Sequence, residues 1–408
     1  MQNKKALVIA VGFALSIPAL AYAAKGDGDG KPEPASVVEL YGRAYPEFAH
    51  SQGKNATPKG EATCTICAAA AGENGVGDRT LVESPNTRFG VRGHEKLGSD
   101  LKAIFQLETE FRVDQNDSAF AARDSFVGLD SQRWGTIKLG RMDTPLKAYG
   151  DELSFLGVSS GNFVSSSNVL RKTGFGTSSA SSFHLRRANA VQYETPDYAG
   201  FNGAVQYSTD ETDTPTRHPH VWSGAIAWEG GPLRLSVAYE QHWDLFGGSR
   251  NVPSAMSNFN DQSVRSKDKA LQAMILYKVG VHRFEADYIQ KKYDENATVT
   301  GRFANYKNNA YELVWDARWS RSWRTQLEYI KSLKGSCSRV NAICTTDGLD
   351  GDQVQAGVAY YFSRKTYAFL MAAWLKNDKS ARYNNDFTDN PNPGEDITIY
   401  ALGISHAF

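Results

Sequence analysis

The sequence is poor in the features that mark several common classes of protein. Its 45 basic side chains are balanced by 45 acidic ones, which argues against nucleic acid as a partner because phosphate binding needs a basic excess. Only one apolar run approaches the ~18–20 residues that a helix needs to cross a bilayer, so a polytopic helical membrane protein is excluded. At 408 residues and 41% hydrophobic, the chain is too long for a mini-protein and too apolar for a disordered one.

Catalytic and metal-binding motifs are also missing. There is no Walker loop, no dinucleotide fingerprint and no G-x-S-x-G elbow, and the 8 histidines are dispersed. We therefore expect no catalytic residue, no metal site and no cofactor. The chain has only 4 cysteines, which lie in polar segments. We favour local or inter-loop disulfides over a redox or metal pair, and the candidates are Cys64, Cys67, Cys337 and Cys344.

The single long apolar run lies at the N-terminus. Lys4 and Lys5 precede an apolar stretch over residues 6–20, and Ala21-Tyr22-Ala23 has the small-x-small pattern of a cleavage site. This predicts a signal peptide over residues 1–23, followed by a short polar segment over 24–36. An uncleaved anchor is the alternative. Export would place the cysteines in an oxidising compartment.

From residue 37 onward the chain repeats a strand pattern instead of a helix pattern. In the segment 101–112, Leu101, Phe105 and Leu107 alternate with Lys102 and Gln106. The same period-2 alternation returns over 233–240, 311–319 and 353–362. Successive side chains of a strand point to opposite faces, so each segment has one apolar and one polar side.

Connector lengths separate the two ends of the predicted sheet. Short turns near residues 96–100, 132–134, 196–200, 230–232, 279–281, 320–322 and 363–365 alternate with long polar segments. The long segments are 49–84, 143–184, 244–268, 294–307, 333–351 and 377–394. About sixteen strands, with roughly 24 residues per strand and connector, fit a transmembrane barrel with short periplasmic turns and long outer loops.

Closure of such a sheet solves a solvation problem. The strands of a soluble β-sandwich also alternate between apolar and polar residues. However, sixteen strands that are polar on one side offer too little apolar surface for a two-layer core. A closed barrel pairs every backbone group and leaves no edge, as hydrocarbon requires. Aromatic residues near strand ends then fit interfacial girdles, and the candidates are Trp134, Tyr198, Trp319, Trp323 and Tyr361.

Several stretches in this order resemble the trimeric general-diffusion porins of Gram-negative outer membranes, of the proteobacterial and neisserial type. They are residues 37–43, 87–98, 101–108, 123–129, 135–145 and 186–193, with a C-terminal stretch 400–408 that ends on Phe408. The resemblance implies a 16-stranded β-barrel over 37–408 in the outer membrane. It further implies a homotrimer in lipid and an assembly signature at Phe408.

The resemblance also makes the segment 143–184 a third loop that is folded into the lumen as a constriction. Six apolar side chains could pack this loop against the wall: Leu153, Phe155, Leu156, Val158, Phe163 and Val164. Asp151 and Glu152 could face the water passage. The alternative is an ordinary outer loop, although the segment is more apolar than an exposed loop usually is.

Basic residues are expected on the wall that faces this loop. The resemblance places three arginines there: Arg88, Arg123 and Arg186. Alternation independently puts Arg88 on the face opposite Phe89, and Arg123 on the face opposite Phe126. Further candidates for the cluster are Arg92, Arg43 and Lys102. Each could instead snorkel or pair at the rim. Arg283, Glu285 and Asp287 are interpreted as a solvated wall.

The sequence thus favours a water-filled channel for passive diffusion of small hydrophilic solutes and ions, without covalent chemistry and with a weak preference for anions. Two alternatives stay open. One is a substrate-selective channel, for which the lumen-facing Tyr361 alone is too little support. The other is a barrel that acts mainly as an adhesin or receptor through long loops such as 244–268.

Overall fold

The computed structural model describes residues 35–114, 118–157, 165–384 and 390–408. The predicted signal peptide, 1–23, and most of the polar segment 24–36 lie outside the described residues, as do the loop residues Val158, Phe163 and Val164. The described residues form one large antiparallel sheet with a single five-residue α-helix, α1 (Pro145–Tyr149). None of the helices in these ranges is long and apolar enough to cross a membrane.

Twenty strand segments are present in the described ranges. In chain order they are β1 (Ser36–Ala44), β2 (Glu47–Lys54), β3 (Arg79–Glu83), β4 (Arg88–Lys96), β5 (Leu101–Phe111), β6 (Ser118–Ala119), β7 (Ser125–Ser131), β8 (Gly135–Asp143), β9 (Arg186–Glu194), β10 (Phe201–Thr209), β11 (His220–Gly230), β12 (Leu233–Trp243), β13 (Ser266–Val279), β14 (His282–Glu295), β15 (Phe303–Arg318), β16 (Trp323–Ser332), β17 (Ser336–Arg339), β18 (Gly351–Tyr361), β19 (Thr366–Asn377) and β20 (Asp396–Ala407).

These segments form sixteen barrel strands, as the sequence predicts. The pairs β1 and β2, β3 and β4, and β6 and β7 each build one interrupted strand, and β17 is a short extension that pairs with the start of β15. The last strand, β20, pairs with both β1 and β2. The Phe408 N–H also donates to the Gly42 carbonyl at 3.1 Å, so the sheet closes on itself without a free edge.

The two faces of the wall differ in the way that alternation predicts. On the outer face, Val38, Leu40 and Leu139 are 70%, 63% and 57% exposed. On the inner face, Glu240 and Gln272 are at most 1% exposed, because other protein segments cover them. Apolar side chains therefore face outward along the strands, and polar side chains face the lumen.

The two ends of the barrel differ in connector length, and several predicted bounds need correction. The turns at one end span two to six residues, from 231–232 to 195–200. The bounds predicted for the first long loop, 49–84, are wrong at both ends. The strands β2 and β3 occupy the two ends of that range, so the loop itself spans only residues 55–78. The sequence also missed the connectors 112–124 and 210–219.

Four of the five aromatic residues assigned to girdles lie on the exterior beside the short turns. Trp134, Tyr198, Trp319 and Trp323 are 49–82% exposed. The assignment of Tyr361 is wrong, since it is only 5% exposed. Tyr361 lies an even number of residues from Gln353 on β18, so its ring is on the lumen side.

The long loops at the other end hold one another. The structure pairs Cys64 with Cys67 and Cys337 with Cys344. Between these two bridges, the Thr65 N–H donates to the Thr345 carbonyl at 3.1 Å. The loops 55–78 and 333–350 thus meet across the outer opening.

Candidate functional site

The segment between β8 and β9, residues 144–185, turns into the barrel; we call it the inner loop. It begins with α1, whose first turn is capped by the Thr144 side chain. The Leu146 N–H donates to Ser223 Oγ on β11 at 3.0 Å, and Ser236 Oγ on β12 donates to the Tyr149 carbonyl at 2.6 Å. Both serines are on the lumen face, so the loop starts along the inside of the wall.

The outgoing half of the inner loop is fixed by two inward side chains. Glu285 on β14 accepts from the amides of Glu152 and Leu153, at 3.1 and 2.9 Å. Gln326 on β16 accepts from the Leu156 amide at 2.7 Å and donates to the Leu153 carbonyl at 3.2 Å. Buried amides need such partners, and these wall residues supply them.

Farther along, the loop reaches the strands on both sides of the barrel closure. Tyr367 Oη on β19 donates to the Leu156 carbonyl at 3.0 Å, and Arg43 Nη1 on β1 donates to the Gly157 carbonyl at 2.8 Å. The loop therefore follows the inside of the wall from β8, past β11–β19, to β1.

The returning half is also attached to the wall. Arg171 is fully buried and donates to Gln272 on β13 at 3.1 Å. Lys291 Nζ on β14 donates to the Leu170 carbonyl at 2.6 Å. These contacts confirm a third loop that is folded into the lumen, and they exclude an ordinary outer loop. We call β11–β16, which bear it, the loop-bearing wall.

The described apolar residues of the loop pack as the sequence predicts. Leu153, Phe155 and Leu156 are at most 2% exposed. A Cβ on Gly357 of β18 would lie 2.5 Å from Leu156 Cδ1 and 3.0 Å from the Phe155 ring. Glycine at this position thus allows the loop to lie flat on the wall.

Each of the two acidic loop residues has a partner within the protein. Asp151 accepts from Ser166 Oγ at 2.6 Å, and Glu152 lies 3.3 Å from Arg234 Nε. The interpretation of Glu285 and Asp287 as a solvated wall is wrong, since both are 3% exposed beneath the inner loop.

The basic residues expected on the facing side form two connected groups. In the first, Arg43, Arg88 and Glu110 are cross-strand neighbours on β1, β4 and β5. Glu108 is shared: it accepts a hydrogen bond from Arg123 Nε and lies 3.8 Å from Arg88. Arg123 also lies 3.5 Å from Glu110.

The second group surrounds Arg186. Its guanidinium donates to Asp124 and lies 2.9 Å from Asp143. Arg187, which the sequence missed, lies 3.3 Å from Asp210 on the same side. Strict alternation would turn Arg187 outward, but the pairing of β8 with β9 is irregular at this point. We call Arg43, Arg88, Arg123 and Arg186 the arginine wall.

The reason given for the placement of Arg123 is wrong, although its side chain does reach the lumen. Phe126 is 9% exposed and packs inside the barrel with Ile104 and Met142. Arg123 lies before β7 begins, where strand alternation does not apply. Arg123 faces the lumen because the chain bends there.

Two of the basic candidates lie away from this group. Arg92 pairs with Glu39 at 2.8 Å, and it is four residues, or about 13 Å along the strand, from Arg88 toward the short turns. Lys102 pairs in register with Lys96 beside the turn 97–100. We therefore separate both residues from the arginine wall.

Arg43 differs from the other members in its partners. It donates to the Ser405 hydroxyl at 3.0 Å, to the Gly157 carbonyl and to the Tyr367 hydroxyl. Its guanidinium carbon lies 4.7 Å from the centre of the Tyr45 ring. Within the described ranges no carboxylate pairs with Arg43, so its charge is not offset locally.

The inner loop adds a titratable cation to this side. Burial lowers the pKa of Lys147 to about 8, against the opposing effect of Asp143, whose carboxylate lies 2.9 Å away. Burial and then the positive charges of Lys147 and Arg171 hold the pKa of His184 well below its usual range. His184 is therefore uncharged at neutral pH, and its environment is electropositive.

In the part of the chain that the structure describes, no group of three or more His, Cys, Asp and Glu side chains is arranged to hold a metal ion. What the arrangement offers is a polar lumen narrowed by a fixed loop, with guanidinium groups on the facing side.

Comparisons with known proteins agree with this geometry. A family model described as Gram-negative porin matches residues 6–380. The chain is 26% identical over 392 residues to the major outer membrane protein P.IB of Neisseria meningitidis serogroup B, covering 92% of this chain and 94% of that protein. It is 28% identical over 309 residues to the P.IB protein of Neisseria gonorrhoeae, covering 72% and 79%.

A likeness of fold is found among solved structures. The anion-selective porin from Comamonas acidovorans superposes with a TM-score of 0.69 at 23% identity, and the match covers 91% of this chain and 100% of that one.

Proposed function

The chain belongs to the Gram-negative porin family and forms an outer-membrane channel for passive diffusion, and we propose that this channel has a weak preference for anions. The observation that supports the preference is Arg43, whose hydrogen-bond partners Ser405, Gly157 and Tyr367 are all neutral. The similar porin from Comamonas acidovorans is described as anion-selective, which agrees with the proposed sign.

The preference is weak because most of the arginine wall is paired. Arg88 and Arg123 share Glu108, and Arg186 has Asp124 and Asp143. Two unit charges about 7 Å apart in water interact by about 0.6 kcal/mol, close to RT. One unpaired arginine thus changes the ratio of anion to cation flux by only a few-fold.

We further propose that the chain assembles as a homotrimer in the outer membrane. A trimer form of a Vibrio cholerae outer membrane protein is among the structures with a similar fold. Diffusion down a gradient requires no catalytic group, and we propose that the channel is not an enzyme.

Planar-bilayer recording in a salt gradient tests the channel and its selectivity. We expect ohmic conductance and a reversal potential that favours anions. Arg43→Gln should move that potential toward cations, and neutralising Arg88, Arg123 and Arg186 together should move it further because their acidic partners are left uncompensated. Arg92→Gln is the matched control, since Arg92 lies away from the throat, by which we mean the passage between the inner loop and the arginine wall.

The outcomes separate the parts of the proposal. A refolded protein without ohmic conductance would overturn the channel itself. A cation-favouring potential in the unmodified protein would overturn the anion preference. An unchanged potential in both arginine variants would show that the arginine wall does not line the throat.

A further inference from the structure

A second group of arginines lies on the lumen face near the short turns, and the rings of Tyr361 and Tyr367 separate its Arg318 from Arg43 of the arginine wall. Arg318 ends β15 and is the register partner of Arg324 on β16. Arg283 on β14 is the register partner of Asp316, two residues before Arg318. Directly opposed side chains lie about 5 Å apart at Cβ, so these four charged residues form one patch on three adjacent strands.

The patch has more positive than negative charge. Asp316 is fully buried and uses both oxygens, because Arg283 Nη2 donates to Oδ1 at 2.7 Å and Arg324 Nε donates to Oδ2 at 2.5 Å. Arg318 has no carboxylate partner among the described residues. The patch therefore contains three guanidinium groups and one carboxylate, and that carboxylate pairs with Arg283 and Arg324.

The next carboxyl group along β14 does not correct this imbalance. Glu285 lies beneath the inner loop, where it accepts from two loop amides. Glu285 is therefore engaged by the inner loop, and the patch lies between Glu285 and the short turns.

Arg318 lies over an aromatic ring. Its guanidinium carbon lies 4.8 Å from the centre of the Tyr361 ring, and that ring packs on Tyr367 with the centroids 4.8 Å apart. A stacked guanidinium keeps its N–H edge free for a ligand and loses little conformational entropy on binding.

We propose that Arg318, supported by Tyr361 and flanked by Arg324 and Arg283, forms a binding site for small oxyanions with two or more negative charges. Such an anion matches the charge of the patch, and its paired oxygens match the planar fork of Arg318. A chloride ion has the charge but cannot make the paired contact. The inference rests on the proposed anion preference. It adds an anion-binding site in the lumen, on the periplasmic side of the throat.

Block of the chloride current by sulfate tests the site. Sulfate is added to either side of a bilayer that contains the channel, and the half-blocking concentration is measured at constant ionic strength. We expect saturable block, with a lower half-blocking concentration from the side of the short turns. Arg318→Gln should raise that concentration at least fivefold, and Arg318→Lys, which keeps the charge without the planar fork, about threefold.

Arg321→Gln is the matched control, because Arg321 lies in the exposed turn 319–322 of the same hairpin. It should change the half-blocking concentration less than twofold. Block that does not saturate, or an equal half-blocking concentration in the unmodified protein and Arg318→Gln, would overturn the site. Heat stability of the folded barrel in detergent verifies that the variants fold.

The two proposals can fail separately. A cation-favouring reversal potential would overturn the anion preference of the throat even if sulfate block persisted. An anion-favouring potential without saturable sulfate block would leave the throat intact and remove the oxyanion site.

Discussion

The arginine wall and the loop-bearing wall are built from the same kind of strand, yet they use their inward polar side chains differently. The side chains of Arg88, Arg123 and Arg186 are 26%, 10% and 13% exposed, and their charges pair with the carboxylates of Glu108 and Asp124 along the lumen. On the loop-bearing wall, Gln272 and Gln326 are 1% and 2% exposed. There the polar groups bind the backbone of the inner loop.

The difference shows that polarity of the inner face serves two purposes. A peptide group removed from water costs free energy unless it is hydrogen-bonded, so a loop folded into a barrel needs a polar surface to lie on. On the opposite side the same polarity faces the solute path. An inward polar residue is thus a pore-lining residue or an anchor for the loop.

The largest expected effect comes from an anchor. Gln326→Leu leaves the Leu156 amide and the Leu153 carbonyl without partners, which costs about 2–4 kcal/mol. We expect part of the inner loop to detach, with a higher mean single-channel conductance and frequent switching between two levels.

Gln353→Leu is the control for this experiment. Gln353 is buried on β18 and donates to Gln355 instead of to the loop. If Gln326→Leu gives the same steady conductance as the unmodified channel, Gln326 is not an anchor of the loop.

A smaller effect is expected from the arginine wall. Glu108→Gln removes the carboxylate that Arg88 and Arg123 share, and the amide oxygen can still accept from Tyr41. One charge at about 7 Å changes the ratio of anion to cation flux about threefold. The reversal potential should move toward anions, while Glu39→Gln, the partner of Arg92, should move it less. A shift toward cations would contradict the assignment.

A pH-dependent effect is expected from Lys147. Its pKa of about 8 lies below the usual value for lysine, so the side chain is positively charged at pH 7 and mostly neutral at pH 9. The anion preference should therefore decline between pH 7 and 9. Lys147→Met should lower the preference at pH 7 and remove the pH dependence, whereas Lys365→Met, in an exposed turn, should preserve it. An identical pH profile in Lys147→Met would reject this role.

The smallest effect on the current is expected from the outer loops. Replacing Cys337 and Cys344 by serine opens a bridge between residues seven apart, which lowers the free energy of unfolding by about 2–3 kcal/mol in the chain-entropy view. Denaturant unfolding measures that loss. The conductance should stay unchanged, because both cysteines lie in the outer loop 333–350, and a clear drop would place that loop in the solute path.

Much of the fold could be predicted from the sequence because alternation is a local property. It identified the strand regions, the outward apolar face and the two unlike ends, and the family resemblance added the inner loop. The strand ends were harder. The first strand is interrupted at Tyr45 and Pro46, so its second half, β2, was assigned to a loop.

The residues of the candidate site were harder to predict from alternation. Phe126 is apolar, and alternation with Arg123 suggested that it faces lipid, but it packs inside the lumen with Ile104. Arg187 reaches the lumen through an irregular pairing with β8. Both exceptions occur where the strand geometry changes, which a period-2 pattern cannot detect.

The sequence by itself determined that each strand has one polar and one apolar side, because a strand directs neighbouring side chains to opposite faces. Only the tertiary structure decided which segments lie against the polar side. Gln326 and Leu156 are 170 residues apart in the chain, and Arg43 meets Tyr367 across the closure of the barrel. Contacts of that kind depend on where distant segments come together, and no local pattern encodes them.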